Sequence, residues 1–268
     1  MRFYTKQHKA YCGITLHART MYLCILHQDG EILLYRTMKT SPDMFLTALA
    51  PYREDLVVAV ECIFTWYGLV DLCAQEQLPC VLGHALYMKA IHGGKAKNDK
   101  IDTQKIALLL RGGMLPQAYV YPAAMRATRD LLRWRMHLMR KRAEVRTHSQ
   151  NTNSQDNWPD LRKKIAYKAH RDGVAERCAD PAVQKRIEVG LALLDHYDRL
   201  LRDMTLTSLK TAKQHNAITL DLLRTVPGIG EIISLGLLYD IHDIHRLPTR
   251  ARFHVVLPPC HMCEGSRW

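Results

Sequence analysis

The sequence predicts an α/β domain followed by a long helical region, and three observations lead to this prediction. Within residues 1–122, short apolar runs of strand length alternate with stretches whose apolar residues recur at helical spacing. Residues 123–150 contain neither Gly nor Pro, and residues 182–213 repeat apolar side chains on one helical stripe. With 268 residues, the chain is long enough for one large domain or two small ones with a buried core.

The first three strands are predicted to form an antiparallel meander. Residues 11–16 and 20–27 are rich in side chains that favour strands, and Asp29-Gly30 supplies a hairpin turn. The chain returns through residues 31–38, which continue the strand pattern.

Helices and strands are then predicted to alternate. Ser41-Pro42 joins a residue favoured at the N-cap to a Pro suited to the first helical position, which predicts a helix start there and a short helix up to residue 49. Residues 56–61 (LVVAVE) place five apolar residues in a row before a carboxylate, as expected for a strand buried on both faces. The other predicted elements are helices near residues 65–75 and 98–110 and a strand at residues 80–83. This order of elements fits a ribonuclease H-like mixed sheet.

The net charge is concentrated in one segment. The chain has 38 Lys and Arg against 26 Asp and Glu, a formal charge of +12, and residues 123–150 alone hold eight basic and two acidic residues. This excess predicts contact with a polyanion, with nucleic acid as the first candidate, while a solvated helix face is the alternative. The residues expected to bind nucleic acid are Arg126, Arg129, Arg133, Arg140, Lys141 and Arg142.

Composition excludes several classes of protein. A hydrophobic content of 47% excludes a disordered chain. The sequence has no uninterrupted apolar run of about 18 residues and no signal peptide at its N-terminus, which predicts a cytoplasmic protein without a membrane partner. In that compartment the eight Cys are expected to be reduced thiols with a packing role.

The two long helical segments are predicted to pair. Apolar residues of the first recur at spacings of seven, four, three and four, which places them on one face. They are Met125, Leu132, Met136, Met139 and Ala143. Residues 182–213 carry a second stripe, so we expect the two helices to pair within the chain or to dimerise as a coiled coil.

Three carboxylates are candidates for a metal site. Glu61 ends the buried strand, and Asp99 and Asp102 lie three residues apart on one helix and therefore project from the same side. Carboxylates clustered at the end of a ribonuclease H-like sheet would bind two Mg²⁺ about 4 Å apart for phosphodiester cleavage. The alternative is a solvated helix in which neighbouring Lys residues offset two Asp.

A turn at residues 226–230 (VPGIG) resembles a helix-hairpin-helix element. Gly228 and Gly230 permit a tight turn whose backbone N–H groups, with the start of the next helix, can hold a phosphate without contacting a base. Small Ser234 would let the flanking helices approach closely. A simple connection between two helices is the alternative.

Four segments together resemble the IS110 family of insertion-sequence transposases, the DEDD type: residues 11–32, 57–69, 84–116 and 225–248 (TVPGIGEIISLGLLYDIHDIHRLP). The resemblance implies a RuvC-like domain at 1–122, a coiled coil at 123–217 and a partial C-terminal transposase domain at 218–268. It also implies site-specific DNA recombination guided by a structured RNA from the element. We further expect a homo-oligomer formed through the coiled coil and association with the nucleoid. The acidic tetrad of the family maps onto Thr15, Glu61, Asp99 and Asp102.

The chain departs from the family pattern in two places. Thr15 stands where the family has an Asp, and a neutral hydroxyl cannot bridge two divalent ions, so we expect Mg²⁺ binding to be weak or lost. Residues 249–268 do not resemble the family's C-terminal region, which supplies a nucleophilic Ser, and Ser266 is not a match for it. These departures suggest a truncated or frameshifted copy with impaired transposition. A catalytically inactive nucleic-acid-binding remnant and a structure-selective nuclease are the alternatives.

Overall fold

The computed structural model describes residues 2–62, 65–92, 98–155 and 164–246. The chain divides into two compact units, Met1–Val120 and Tyr121–Trp268. The three-domain division with boundaries after residues 122 and 217 stays a prediction. Ser266 and the divergent segment 249–268 lie outside the described residues.

The first unit is built on a mixed β-sheet. Its strands are Ala10–Leu16 (β1), Thr20–His27 (β2), Ile32–Lys39 (β3), Leu56–Glu61 (β4) and Cys80–Gly83 (β5). Among the described residues they form one sheet in the order β3-β2-β1-β4-β5, in which β1, β2 and β3 pair antiparallel and β1, β4 and β5 pair parallel. The meander is confirmed, and this topology is compatible with the predicted ribonuclease H-like fold.

Helices cover both faces of the sheet. They are Pro42–Leu49 (α1), Trp66–Gln75 (α2), Ala85–His92 (α3) and Asp99–Arg111 (α4). Cys12, Ile14 and Val58 pack with α1 and α2 in one hydrophobic cluster. The alternate residues Tyr11 and Val57 pack with α3 and α4 in another. Every residue of β1 is therefore buried, as expected for a central strand with helices on both sides.

Helix α4 lies unusually close to β1 at Gly13. A Cβ added to Gly13 would lie 2.4 Å from the Thr103 carbonyl oxygen and 2.5 Å from the Ala107 amide nitrogen, which are both backbone atoms of α4. Only a residue without a side chain permits this approach. The contact holds the middle of α4 directly against β1.

The second unit consists mainly of Ala123–Gln155 (α5), Pro181–Arg224 (α6) and Glu231–Ile241 (α7). Helix α6 begins at a strong N-cap, where the Asp180 carboxylate accepts hydrogen bonds from the Ala182 and Val183 amides and Pro181 occupies the first helical position. Asn216 has non-helical backbone angles and accepts a hydrogen bond from the Thr219 amide, so α6 is two helical segments joined there.

Helices α5 and α6 pack antiparallel along a polar seam. In order along α5, the contacts are Arg135 with Thr205 (2.8 Å), Arg142 with Asp198 (2.6 Å) and Ser149 with Gly190. Residue numbers rise on one helix as they fall on the other, which shows the antiparallel direction. Successive contacts are seven residues apart on α5, the repeat expected when one helix face stays against its partner.

The predicted apolar stripe on α5 packs within the chain only in its N-terminal half, and its role in a coiled coil stays a prediction. Met125 and Leu132 are buried with α6 and α7, but Met139 is 49% exposed and Ala143 is exposed. The α6-facing positions nearby hold Arg135 and Arg142. A long Arg stem can be buried when its guanidinium finds a hydrogen-bond partner, so hydrophobicity alone did not identify the contact face.

Two predictions made from composition concern the state of the cysteines and membrane-spanning helices. Within the described residues Cys12, Cys24, Cys62, Cys73, Cys80 and Cys178 are free thiols. Burial raises the pKa of Cys24 to about 11, which favours an inert thiol with a packing role. In the described parts of the chain, every helix is too short or too polar to cross a bilayer.

Candidate active site and nucleic-acid interface

Thr15, the penultimate residue of β1, and Glu61, the last residue of β4, lie on the same face of the sheet at the ends of neighbouring parallel strands. The paired register between β1 and β4 runs up to Ile14 opposite Val60, so Thr15 and Glu61 are the next residues of the two strands. Side chains alternate along a strand, which places both residues on the face that carries Tyr11 and α4. Glu61 is half-buried, and Thr15 is buried.

Asp99 begins α4 directly over Thr15. Asn98 caps the helix by accepting a hydrogen bond from the Lys100 amide at 3.0 Å. The Thr103 hydroxyl lies 2.6 Å from the Asp99 carbonyl oxygen and 2.8 Å from the Thr15 hydroxyl, which itself lies 3.5 Å from that carbonyl. The Thr15 hydroxyl is therefore held inside a small polar cluster.

Two further side chains bind the start of α4. His17 Nε2 lies 3.1 Å from the Asp99 carboxylate. The Tyr35 hydroxyl donates a hydrogen bond to the Lys100 carbonyl oxygen, and burial, with a smaller effect of Cys24, raises the pKa of Tyr35 and keeps this donor protonated. Contacts from β1, β3 and the residue after β1 thus position the first turn of the helix.

The structure brings Thr15 and Asp99 together but does not assemble the predicted carboxylates into a metal site. Asp102 pairs with Lys105 at 3.5 Å on its own helix. Within the described part of the chain, no group of three or more His, Cys, Asp or Glu side chains could hold a metal ion. Glu61, at the end of β4, also interacts with another group.

Three of the predicted nucleic-acid-binding residues make internal contacts. Buried Arg126 donates to the Tyr121 carbonyl oxygen at 2.7 Å. Arg129 pairs with Asp240 at 3.0 Å, and its guanidinium lies 4.0 Å above the Tyr121 ring. Arg142 forms the seam contact with Asp198. The remaining residues, Arg133, Arg140 and Lys141, are exposed on α5.

The turn between α6 and α7 has the conformation that its glycines allow. Gly228 has a φ of +86°, in the left-handed region, and the Gly230 carbonyl accepts a hydrogen bond from the Ser234 amide at 2.9 Å. Ser234 is fully buried, and its hydroxyl donates a hydrogen bond to the Glu231 carbonyl oxygen at 2.9 Å. The Glu231 carboxylate lies at the start of α7, 3.4 Å from Arg224.

Comparison with known families identifies the chain. The family model for the IS110 type of DEDD transposase, described simply as a transposase, matches residues 12–153, slightly more than half of the chain. This chain belongs to the IS110 family of DEDD transposases. No curated protein matches the transposase.

DEDD transposases typically use a divalent metal, and the residues of this transposase do not fit a two-metal centre. A bridging position between two Mg²⁺ needs a charged oxygen ligand. Thr15 offers a neutral hydroxyl, and that hydroxyl is already hydrogen-bonded with Thr103 beside the Asp99 carbonyl.

The sequence analysis did not predict the contacts of several residues that are important to the transposase structure. His17 lies two residues after Thr15, and Thr103 lies four residues after Asp99, so strand and helix spacing could have indicated both. Arg171 pairs with Asp195 and Asp198. Nothing in the local sequence around Arg171 indicates these partners, because they come from 24 and 27 residues away.

Proposed function

We propose that this transposase binds DNA and acts in DNA transposition by site-specific recombination, with impaired metal-dependent strand cleavage. The proposed impairment rests on Thr15, whose hydroxyl is buried and hydrogen-bonded. The family tetrad has a carboxylate at this position. Glu61, Asp99 and Asp102 remain as candidate catalytic and Mg²⁺-binding residues, and we propose that they bind Mg²⁺ weakly.

The same hydroxyl favours a second candidate function. With Thr15 engaged by Thr103, the protein would keep its fold and its basic helix while losing cleavage. In that case it is a catalytically inactive nucleic-acid-binding relative that pairs with intact copies through α5 and α6. Antiparallel packing of these helices within the chain at seven-residue steps supports a coiled coil. We propose that apolar side chains of α5 that this packing leaves exposed, such as Met139, form the homo-oligomer contact.

The partners follow from the same proposal. DNA and a guide RNA encoded by the element would contact exposed basic residues of α5 and the backbone N–H groups beside Gly228 and Gly230, in a complex located at the nucleoid. A phosphate at the start of α7 would lie near the Glu231 carboxylate in the first turn of that helix, and their like charges would repel.

A cleavage assay separates the two candidates. The full chain is incubated with labelled element-end DNA, the family's guide RNA and Mg²⁺, and products are resolved on a denaturing gel. Weak cleavage that Asp102→Asn removes supports an impaired transposase. Binding of the DNA without cleavage supports the inactive relative, and failure to bind any nucleic acid contradicts both.

Restoring the missing carboxylate should improve metal binding. We expect Thr15→Asp to tighten Mg²⁺ binding by about tenfold or more, because a Mg²⁺ site needs charged oxygen ligands. Isothermal titration calorimetry measures the change. Thr15→Asn is the matched control, since it supplies a similar shape without charge and should show no gain. Asp102→Asn in the Thr15→Asp background should remove the gain, and equal affinities for the parent and the Thr15→Asp protein would refute the assignment of Thr15 to the tetrad.

The salt dependence of DNA binding should depend on the exposed basic residues of α5. Replacing Arg133, Arg140 and Lys141 with Ala should reduce the slope of log K against log salt by about 0.9 for each DNA phosphate that the protein no longer neutralises. A control protein with Arg199, Arg202 and Lys210 replaced has the same reduction in charge at exposed positions of α6. Equal changes in the two slopes would show a general effect of net charge and contradict an interface on α5.

A further inference from the structure

An exposed aromatic side chain lies within the basic part of α5. Trp134 is 58% exposed, and its ring stacks on the imidazole of His137 with 5.0 Å between centroids and 22° between planes. Trp is enriched at interfaces, because its ring offers a large apolar face together with a polar N–H group. The neighbouring His137 holds the ring on one side of the helix.

Trp134 points away from the seam with α6. The seam residues Arg135 and Arg142 follow Trp134 and Lys141 by one position each, a rotation of about 100° around the helix axis. Trp134, His137 and Lys141 recur at spacings of three and four and therefore lie on one side of α5. Intrachain packing of α5 on α6 thus leaves this side to solvent.

Positive charge flanks the exposed ring. Arg133 and Arg140 are exposed and about 10 Å apart along the helix. Among the described residues, no carboxylate lies within 4 Å of either guanidinium, whereas Lys141 pairs with Glu144 at 2.8 Å. Two unpaired guanidinium groups along one side of an aromatic ring suit a polyanion that also carries flat apolar groups, which is the chemistry of a nucleic-acid strand.

We propose that Trp134, supported by His137, is a stacking platform for an unpaired base of DNA or RNA, and that Arg133 and Arg140 bind the flanking phosphates. This inference rests on the proposed nucleic-acid-binding function and adds the preferred form of the ligand. Bases in a duplex are stacked on both faces, so a side chain on a convex helix reaches a free face only where the strand is unpaired.

The test measures binding of the full chain to three fluorescently labelled probes of about 12 nucleotides: single-stranded DNA, single-stranded RNA of the same sequence and the corresponding duplex DNA. Trp134→Ala should weaken binding of the single strands by about tenfold and binding of the duplex by less than about twofold. Trp134→Phe keeps a stacking face and should retain most of the affinity. Leu206→Ala, which removes an exposed apolar side chain from α6, should change nothing.

Each other outcome overturns the stacking platform. Unchanged single-strand affinity in Trp134→Ala would exclude stacking while leaving the nucleic-acid-binding function intact. An equal loss for duplex and single strands would indicate a general effect on α5. Dissociation of an oligomer in sedimentation of Trp134→Ala would assign the ring to a protein interface, and absence of binding by the parent protein would overturn the proposed function as well. If stacking holds, the probe with the larger decrease in affinity shows whether DNA or RNA occupies the site.

Discussion

Gly13→Ala should lower the free energy of unfolding of the first unit by about 3 kcal/mol or more. The new Cβ would lie 2.4 Å from the Thr103 carbonyl oxygen and 2.5 Å from the Ala107 amide nitrogen. Both atoms belong to the backbone of α4, so relief requires the helix to move away from β1 rather than a side chain to rotate. Because Asp99 and Thr103 lie at the start of that helix, the same movement would separate Asp99 from Thr15.

Hydrogen exchange followed by mass spectrometry at increasing urea concentration measures this destabilisation within β1 and α4. Gly68→Ala is the matched control, because Gly68 is an exposed residue inside α2 and a Cβ there meets no atom within 4 Å. That substitution should stabilise the same unit by up to about 1 kcal/mol, since Ala favours helix over Gly. Equal effects of the two substitutions would refute the close approach of α4 to β1.

Arg171→Leu should lower the free energy of unfolding of the second unit by about 3 kcal/mol. The Arg171 side chain is only 3% exposed, and its guanidinium nitrogens lie 2.7 Å from both Asp195 and Asp198. It also donates to the Ile165 carbonyl oxygen at 2.9 Å, which ties the short 3₁₀ turns before α6 to that helix. Substitution leaves two carboxylates and the carbonyl oxygens of Ile165 and Ala166 without this donor. Both carboxylates are partly exposed, which keeps the expected destabilisation at the lower end of the range for buried pairs.

The acid sensitivity of the same unit should change in parallel. Burial alone would raise the pKa of Asp198, but hydrogen bonds from Arg142 and Arg171 and their charges outweigh it and lower the pKa. A carboxyl group with a lowered pKa in the folded state stabilises the fold above its ordinary pKa of about 3.9, and this contribution is lost as the pH falls through the folded value. As the pH is lowered, the Arg171→Leu protein should therefore begin to unfold at a higher pH than the parent protein.

Thermal unfolding at a series of pH values, followed by circular dichroism, tests both Arg171 predictions. Lys185→Leu is the control, because it removes an exposed cation that pairs with Glu188 at 3.1 Å on the same helix. Exposed pairs of this kind contribute only about 0.3–0.5 kcal/mol. A similar small effect for Arg171→Leu would show that the buried pairs do not hold the turns to α6.

Local patterns in the sequence were sufficient for most of the sheet. The predicted ranges of β4 and β5 agree with the structure at both ends, because a run of apolar residues bounded by turn residues has few alternatives to a buried strand. The start of α1 and the meander were also predicted, from Ser41-Pro42 and the turn at Asp29-Gly30. These signals act within about ten residues, so the sequence carries them without reference to distant partners.

Distant partners decided the candidate site and the use of the basic residues. The identity of Thr15 was visible in the sequence, but its hydrogen bonds depend on Asp99 and Thr103, more than 80 residues away. Likewise, Arg133 and Arg142 belong to the same basic helix, and only the position of Asp198 on α6 places one of them in the seam. The sequence by itself determined which charges and strands the transposase has. The tertiary structure decided which charges are neutralised inside it, because that depends on groups that only folding brings within hydrogen-bonding distance.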